Sequence, residues 1–318
     1  MGIGATRRPV VYRQEKQYVM PIRPRRRVIT RALSGSVFYI KAHRDKLDFW
    51  GMGTMAWNSN QYLKFANERT QPCLDLINKL DGNYDYILDL GCGPGNSSFE
   101  LNQAFPAAEI TGFEADENML KKAKEDHPDL KFVQGFAPND FYKLDRKFDL
   151  VFSNACIHWI NEQEKLINDV SAVLSENGVF AVQIPLTDES VFYKILYDLI
   201  NENWVQLKSV KNFHNLNQTD YYHLLIKKFK KVSIWKTDYY HILDNKEMII
   251  EWYKGSGLRP YLEILSKTEQ DDFLCDLQKK VEKHFNLLED GKCFLVMPRL
   301  FFIAKKQKDT PRVFSARG

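Results

Sequence analysis

Three glycines at alternate positions, Gly91, Gly93 and Gly95, follow directly on the run Ile87-Leu88-Asp89-Leu90. A backbone without Cβ atoms turns sharply and lets a ligand come close. Here it does so beside an expected helix start, whose free N–H groups favour negative charge. The stretch reads as a cradle for an adenosine compound, and spacing narrows which one. A dinucleotide fingerprint G-x-G-x-x-G begun at Gly91 needs glycine at position 96, where the chain has Asn96. A phosphate loop needs Lys straight after its last glycine, and none stands there. Glu114, closing the next strand-like run, is placed to accept both hydroxyls of a ribose.

Such a cradle works only if a parallel sheet holds it. Tyr86 to Leu90 is short, mostly apolar and followed at once by glycine, as a central parallel strand requires. Strands are predicted at 86–90, 109–114, 130–134, 148–153 and 179–184, with helices at 96–105, 118–125 and 162–174 between them. This alternation gives an α/β, doubly wound, Rossmann-like sheet. Ligands of such sheets sit beyond the carboxyl ends of the strands, which gathers Gly91 to Gly95, Glu114, Gln134-Gly135-Phe136 and Asn154 around one crevice. After Pro185 the pattern turns helical, at about 190–208 and 219–229. A strand at 231–243, helices at 245–254, 260–266 and 268–287, and a last strand at 293–304 follow. Stretches 186–230 and 245–290 are expected to form a helical lid.

The 318 residues are 44% apolar, enough to bury a large core. No apolar run reaches the ~18 residues that span a bilayer, and no leader-like segment is seen. Membrane insertion is therefore not expected. Cys73, Cys92, Cys156, Cys275 and Cys293 are odd in number and include no C-x-x-C pair. Neither a disulfide framework nor a metal site is expected, and a cytoplasmic setting fits. Residues 1 to 50 hold twelve Lys or Arg against Glu15, Asp45 and Asp48, an excess of nine. The net charge of +4 less that nine leaves about −5 for the rest. The core is thus not a basic nucleic-acid-binding domain. Residues 1–54 are expected as a disordered basic extension, 55–306 as the folded domain and 307–318 as a polar tail.

The run Ile87 to Gly95 is similar to the hhDhGCGxG pattern of class I S-adenosylmethionine-dependent methyltransferases. From about Met55 to Lys306 the chain resembles the trans-aconitate 2-methyltransferase family. The resemblance rests on Trp57-x-x-x-x-Tyr62-Leu-x-Phe65-x-x-Glu68-Arg69, on Asp89 to Ser97, and on Asn154-Ala155 with His158-Trp159. Trp235 to His241, Gly257-Leu258-Arg259-Pro260 and Pro298-Arg299-Leu300-Phe301 complete it. It implies methyl transfer from S-adenosylmethionine to a carboxylate of trans-aconitate, giving a monomethyl ester. A carrier-linked malonyl acceptor, or nucleic acid engaged through the basic arm, are the alternatives. Cofactor contacts are expected from Asp89, Gly91, Cys92, Gly93, Gly95, Glu114 and Asn154, and by the resemblance from Tyr62 and Arg69. The family's acidic residue after the third strand is missing, so Phe136 is expected to wall the adenine.

The second half of the chain points to an anionic partner without help from the family. Arg299 interrupts an apolar strand and Arg259 sits between Leu258 and Pro260, and arginine is the planar fork that suits a carboxylate. Alternation on a strand sends either Tyr240, or Tyr239 with His241, toward the pocket. Tyr240 and His241 are both carried as substrate candidates, beside Arg259, Arg299 and Trp159. His158 and Trp159 are expected to wall and position the acceptor. No catalytic acid or base is required, because a carboxylate with a pKa near ~4 is already ionised at neutral pH.

Overall fold

The computed structural model describes residues 66–210 and 213–306, and of 66–69 the backbone only. The expected extension at 1–54, the domain's first residues from 55 and the tail at 307–318 lie outside the described residues.

β1 (Tyr86–Leu90) is buried at every position after the first, so it must be central and apolar on both faces. It pairs in parallel with β2 (Glu109–Glu114) on one side and β4 (Phe148–Asn154) on the other. β3 (Lys131–Gln134) and β5 (Leu174–Pro185) extend the parallel part outward. β7 (Cys293–Lys305) then inserts antiparallel between β5 and β6 (Lys231–Leu243), giving the order β3-β2-β1-β4-β5-β7-β6. Among the described residues the crossovers carry α2 (Asn96–Ala104), α3 (Glu117–Asp126) and α4 (Gln163–Val173), with α1 (Ala66–Ile77) ahead of β1. The α/β sheet expected from the sequence is present. β5 starts five residues before its predicted position, at Leu174.

Period-two alternation divides these apolar strands between two cores. Leu88, Leu90, Val151, Phe180, Val182, Leu300 and Phe302 face α4, whose Leu166, Ile167 and Val170 are buried against them. Ile87, Leu150, Phe152, Ala181, Phe301 and Ile303 face α1 and α2, through Cys73, Leu76 and Leu101.

A third core lies in the second half. It joins α5 (Val191–Asn203), α7 (Glu247–Lys254), α8 (Arg259–Leu262) and α9 (Lys267–His284) to the Leu243–Cys293 end of the β6–β7 ladder through Leu243, Leu295 and Met297. The two predicted lid segments therefore share one hydrophobic centre. α6 (Gln218–Leu225), expected in that lid, packs on the sheet instead. Its Tyr221 and Leu225 are fully buried, and the Tyr221 ring lies 5.6 Å from that of Phe302. Phe302 also meets Phe180 edge-on at 5.3 Å. Phe302→Ala should therefore cost about 3–5 kcal/mol, read as a lower urea midpoint. A loss below about 1 kcal/mol would show that this layer tolerates the void.

Candidate active site

The turn after β1 keeps its shape for steric and hydrogen-bonding reasons. Gly91, at φ 75°, donates its N–H to Phe113 O at 2.8 Å, and a Cβ there would come 2.1 Å from Cys156 Sγ. At Gly93 the nearest atom to such a Cβ is Met119 Sδ, at 3.5 Å. The first glycine makes room for the protein's own loop; the second leaves the wall of a cleft bare. Gly95 caps the start of α2, away from that wall.

Asp89 does not reach the cleft. It is fully buried behind the turn, where its Oδ2 accepts from the hydroxyls of Ser97 and Ser98, both at 2.6 Å. It ties β1 to the first turn of α2, which corrects the expectation of a ligand contact. Glu114 is different, because it lines the cleft and also organises it. Its Oε2 accepts from Gly93 N at 3.0 Å, and its Oε1 from Ala115 N at 2.8 Å and Asp116 N at 2.9 Å. Burial pushes its carboxyl above the ordinary value, and the three backbone donors oppose the shift. Oε2, holding a single backbone donor, keeps capacity for a ligand hydroxyl.

One cleft of about 220 Å³ runs from Gly91, Cys92 and Gly93 to Arg299. Asn154 closes β4 on its floor, with a buried Oδ1 that has no hydrogen-bond partner. Beyond it the walls are aromatic. Trp159 and Phe213 lie 4.7 Å apart, Tyr193 meets Phe213 edge-on at 5.4 Å, and Tyr253 stacks on Phe192 at 3.6 Å. His158 is only 3% exposed, and its Nδ1 lacks a partner. Burial, and then the charge of Arg299, push its pKa down to about 3, so the ring is neutral at physiological pH. Arg299 is itself buried on β7, with its Nη2 3.9 Å from Met297 Sδ.

Not every candidate is brought here. Arg259 opens α8 and donates from Nε to Glu263 Oε1 at 2.5 Å, one helical turn on, and it does not line the cleft. The expected substrate contact is thus corrected to an intrahelical ion pair. Tyr240 is 62% exposed, on the outward face of β6 beside Phe294. His241 faces inward, but its ring lies tilted against that of Trp252 at 4.6 Å, and Trp252 is the residue that lines the cleft. Phe136 is half-buried, and its N–H is held by Asp140 Oδ2 at 3.1 Å. It lies outside both the main cleft and a small adjoining cavity formed by Gly135, Ala137 and Trp159. Tyr62 and the side chain of Arg69 fall outside the described residues.

A family model described as a methyltransferase domain matches residues 83–247. Trans-aconitate 2-methyltransferase of Escherichia coli (strain 55989 / EAEC) is 34% identical over 251 residues, 79% of this chain and 98% of that protein. The protein of that name from Shigella dysenteriae serotype 1 (strain Sd197) is 34% identical over 252 residues, with the same coverage. The chain belongs to the trans-aconitate 2-methyltransferase family. It is an S-adenosylmethionine-dependent methyltransferase. A candidate methyltransferase of Bacillus halodurans C-125 shares the fold at a TM-score of 0.50 and 15% identity, over 75% of this chain and 100% of that one. The residues present fit the family's cofactor on three observations: the bare Gly93, the spare capacity of Glu114 and the orphaned acceptor of Asn154. Among the described residues no helix is long and apolar enough to cross a membrane.

Sequence reasoning missed Gln183, Tyr193, Phe213, Trp252 and Tyr253, which all line the cleft. The aromatic residues carry no signal of their own in the sequence. Gln183 had a signal, since it is the one polar residue in the run Val179 to Ile184.

Asp89 supplies a test of the cradle's foundation. Burial raises its pKa to about 6, above the ordinary carboxylate value of the unfolded chain. As pH rises through ~4 the unfolded state loses this proton while the folded state keeps it, so stability falls up to pH ~6 and is level above. The loss is about 3 kcal/mol, at 1.36 kcal/mol per pKa unit. Asp89→Asn should flatten that limb relative to wild type, in urea unfolding followed from pH ~4 to ~7. An unchanged difference between the two proteins across that range would show that Asp89 is ionised throughout.

Proposed function

We propose that the methyl acceptor is a carboxylate of a small polycarboxylic acid, trans-aconitate foremost, and that the product is its monomethyl ester. The observation that carries this reading is the Arg299 guanidinium, buried among aromatic walls in the same cleft as the glycine cradle. Arginine offers a carboxylate two parallel N–H donors, and this one lies where an acceptor would face the cradle. The relatives named trans-aconitate 2-methyltransferase, matched over 98% of their length, support the same acid.

S-adenosylmethionine supplies an electrophilic methyl group on a sulfonium. In this reading Glu114 accepts from the ribose hydroxyls, Asn154 Oδ1 accepts from the ammonium of the methionine moiety, and the bare Gly93 leaves the ligand room. Arg299 forks a carboxylate that does not react and so orients the one that does. His158, neutral because its pKa is near 3, walls the acceptor. The reacting carboxylate needs no base, being ionised already. Trp159, Phe213, Tyr193 and Tyr253 exclude water, which strengthens the electrostatic hold of Arg299 and strips the attacking oxygen of hydration.

Arg299→Met should lower kcat/KM for trans-aconitate by at least ~10²-fold and leave affinity for S-adenosylhomocysteine unchanged. Arg299→Lys should rescue little of that loss, because an ammonium lacks the planar fork. Labelled cofactor offered with trans-aconitate, cis-aconitate, citrate, malonate and an acyl-carrier substrate reads the acceptor directly. Turnover of the carrier-linked acid alone would replace the proposed substrate. For the cofactor side, Glu114→Gln should weaken S-adenosylhomocysteine by ~10-fold or more, through loss of charge-assisted bonds. Calorimetry showing wild-type affinity would remove Glu114 from the ribose.

A further inference from the structure

Gln183 stands in the cleft with a donor and nothing to give it to. It is 1% exposed, lies on β5 and lines the cleft, yet its Nε2 has no hydrogen-bond partner. A buried amide with an unmet donor destabilises the fold, and an apolar residue of the same shape would not. Its neighbours explain what could meet that donor. On one side Gln183 pairs with Asn154 of β4, which also lines the cleft and whose buried Oδ1 has no hydrogen-bond partner either. On the other, β7 runs antiparallel, with Phe301 opposite Gln183 and Arg299 opposite Pro185. Gln183 and Arg299 are therefore diagonal cross-strand neighbours on one face of the sheet, roughly 7 Å apart at the backbone and within joint reach of one small ligand. The cation is hydrophobically walled and the amide is neutral, so the pair offers one full charge and an added directional donor.

We infer that Gln183 is a specificity-determining residue that donates from Nε2 to the acceptor carboxylate held by Arg299. The inference rests on the acceptor reading above and sharpens it. With one carboxylate anchored by this pair and another methylated, the acceptor carries at least two carboxylates, and a monocarboxylate of the same skeleton is a poor substrate. The competing source of a carboxylate in this cleft is the cofactor's own methionine moiety. Gln183 sits one strand beyond Asn154, on the Arg299 side, which favours the acceptor.

Gln183→Met in the full chain separates these cases, because it removes the donor and keeps the volume. Three quantities are read: melting temperature, S-adenosylhomocysteine affinity by calorimetry, and KM and kcat for trans-aconitate. The expected result is a melting temperature equal to wild type or higher, unchanged S-adenosylhomocysteine affinity, and a KM for the acid raised ~10-fold or more. Gln183→Glu, of the same shape, should lose more kcat/KM than Gln183→Met and recover as pH falls, because a carboxylate there repels the acceptor until it is protonated. A lowered melting temperature with the KM for trans-aconitate unchanged would make Gln183 structural. An equal loss of S-adenosylhomocysteine affinity would assign the amide to the cofactor. Turnover by wild type with an unchanged KM in Gln183→Met overturns the assignment alone. Failure of wild type to methylate any free polycarboxylate overturns the acceptor reading, and the assignment with it.

Discussion

One buried carboxylate holds the cleft in shape. Glu114 accepts Gly93 N–H from the loop after β1, and Ala115 and Asp116 N–H from the loop after β2, so two turns at the carboxyl edge of the sheet share a single anion. Backbone amides in such loops have no ladder partner and must be met by something. Here that something is also the group with spare acceptor capacity toward the cleft. Asp89 does the same work one layer down, fixing the first turn of α2 to β1 through Ser97 and Ser98. Position 89 serves the scaffold and position 114 lines the cleft, although both are acidic residues in strands.

The second half of the cleft depends on a different constraint. β7 is buried nearly throughout, and its alternate residues feed two cores while it is paired on both edges. Arg299 is carried on that strand, so its backbone is fixed as firmly as the sheet. Of the aromatic walls, Tyr193 comes from α5 and Trp252 and Tyr253 from α7, and the third core joins both helices to the Leu243–Cys293 end of the β6–β7 ladder. A cation on a rigid strand, walled by rings, is pre-organised for a carboxylate in a way that a cation on a mobile surface loop is not.

The sheet was legible because central parallel strands must be apolar on both faces, and the boundaries of β1 and β2 follow from that pattern, while those of the edge strand β6 follow from its run of Val, Ile, Trp and Tyr. Gly91, Gly93, Glu114 and Asn154 were legible because the carboxyl ends of such strands converge. Arg299 stood out as a charge in an apolar strand, and Gln183 carried the same signal in weaker form, without the charge that drew notice to Arg299. Arg259 was misread although Glu263 stands four residues on, the spacing of a helical ion pair. Strand alternation set Tyr240 against His241 but left open which face was inward, since that depends on which side α7 packs. The aromatic lining had no local mark at all. Tyr193, Phe213, Trp252 and Tyr253 come together only through the packing of segments distant in sequence.

Whether this cleft esterifies a carboxylate can be read from the chemistry of the product bond. The enzyme is incubated with methyl-labelled S-adenosylmethionine and trans-aconitate, and the small-molecule product is treated with mild alkali. A methyl ester releases its label as volatile methanol, and the account predicts that all acid-dependent label does so. Label that resists alkali, or that stays with the protein, would contradict it.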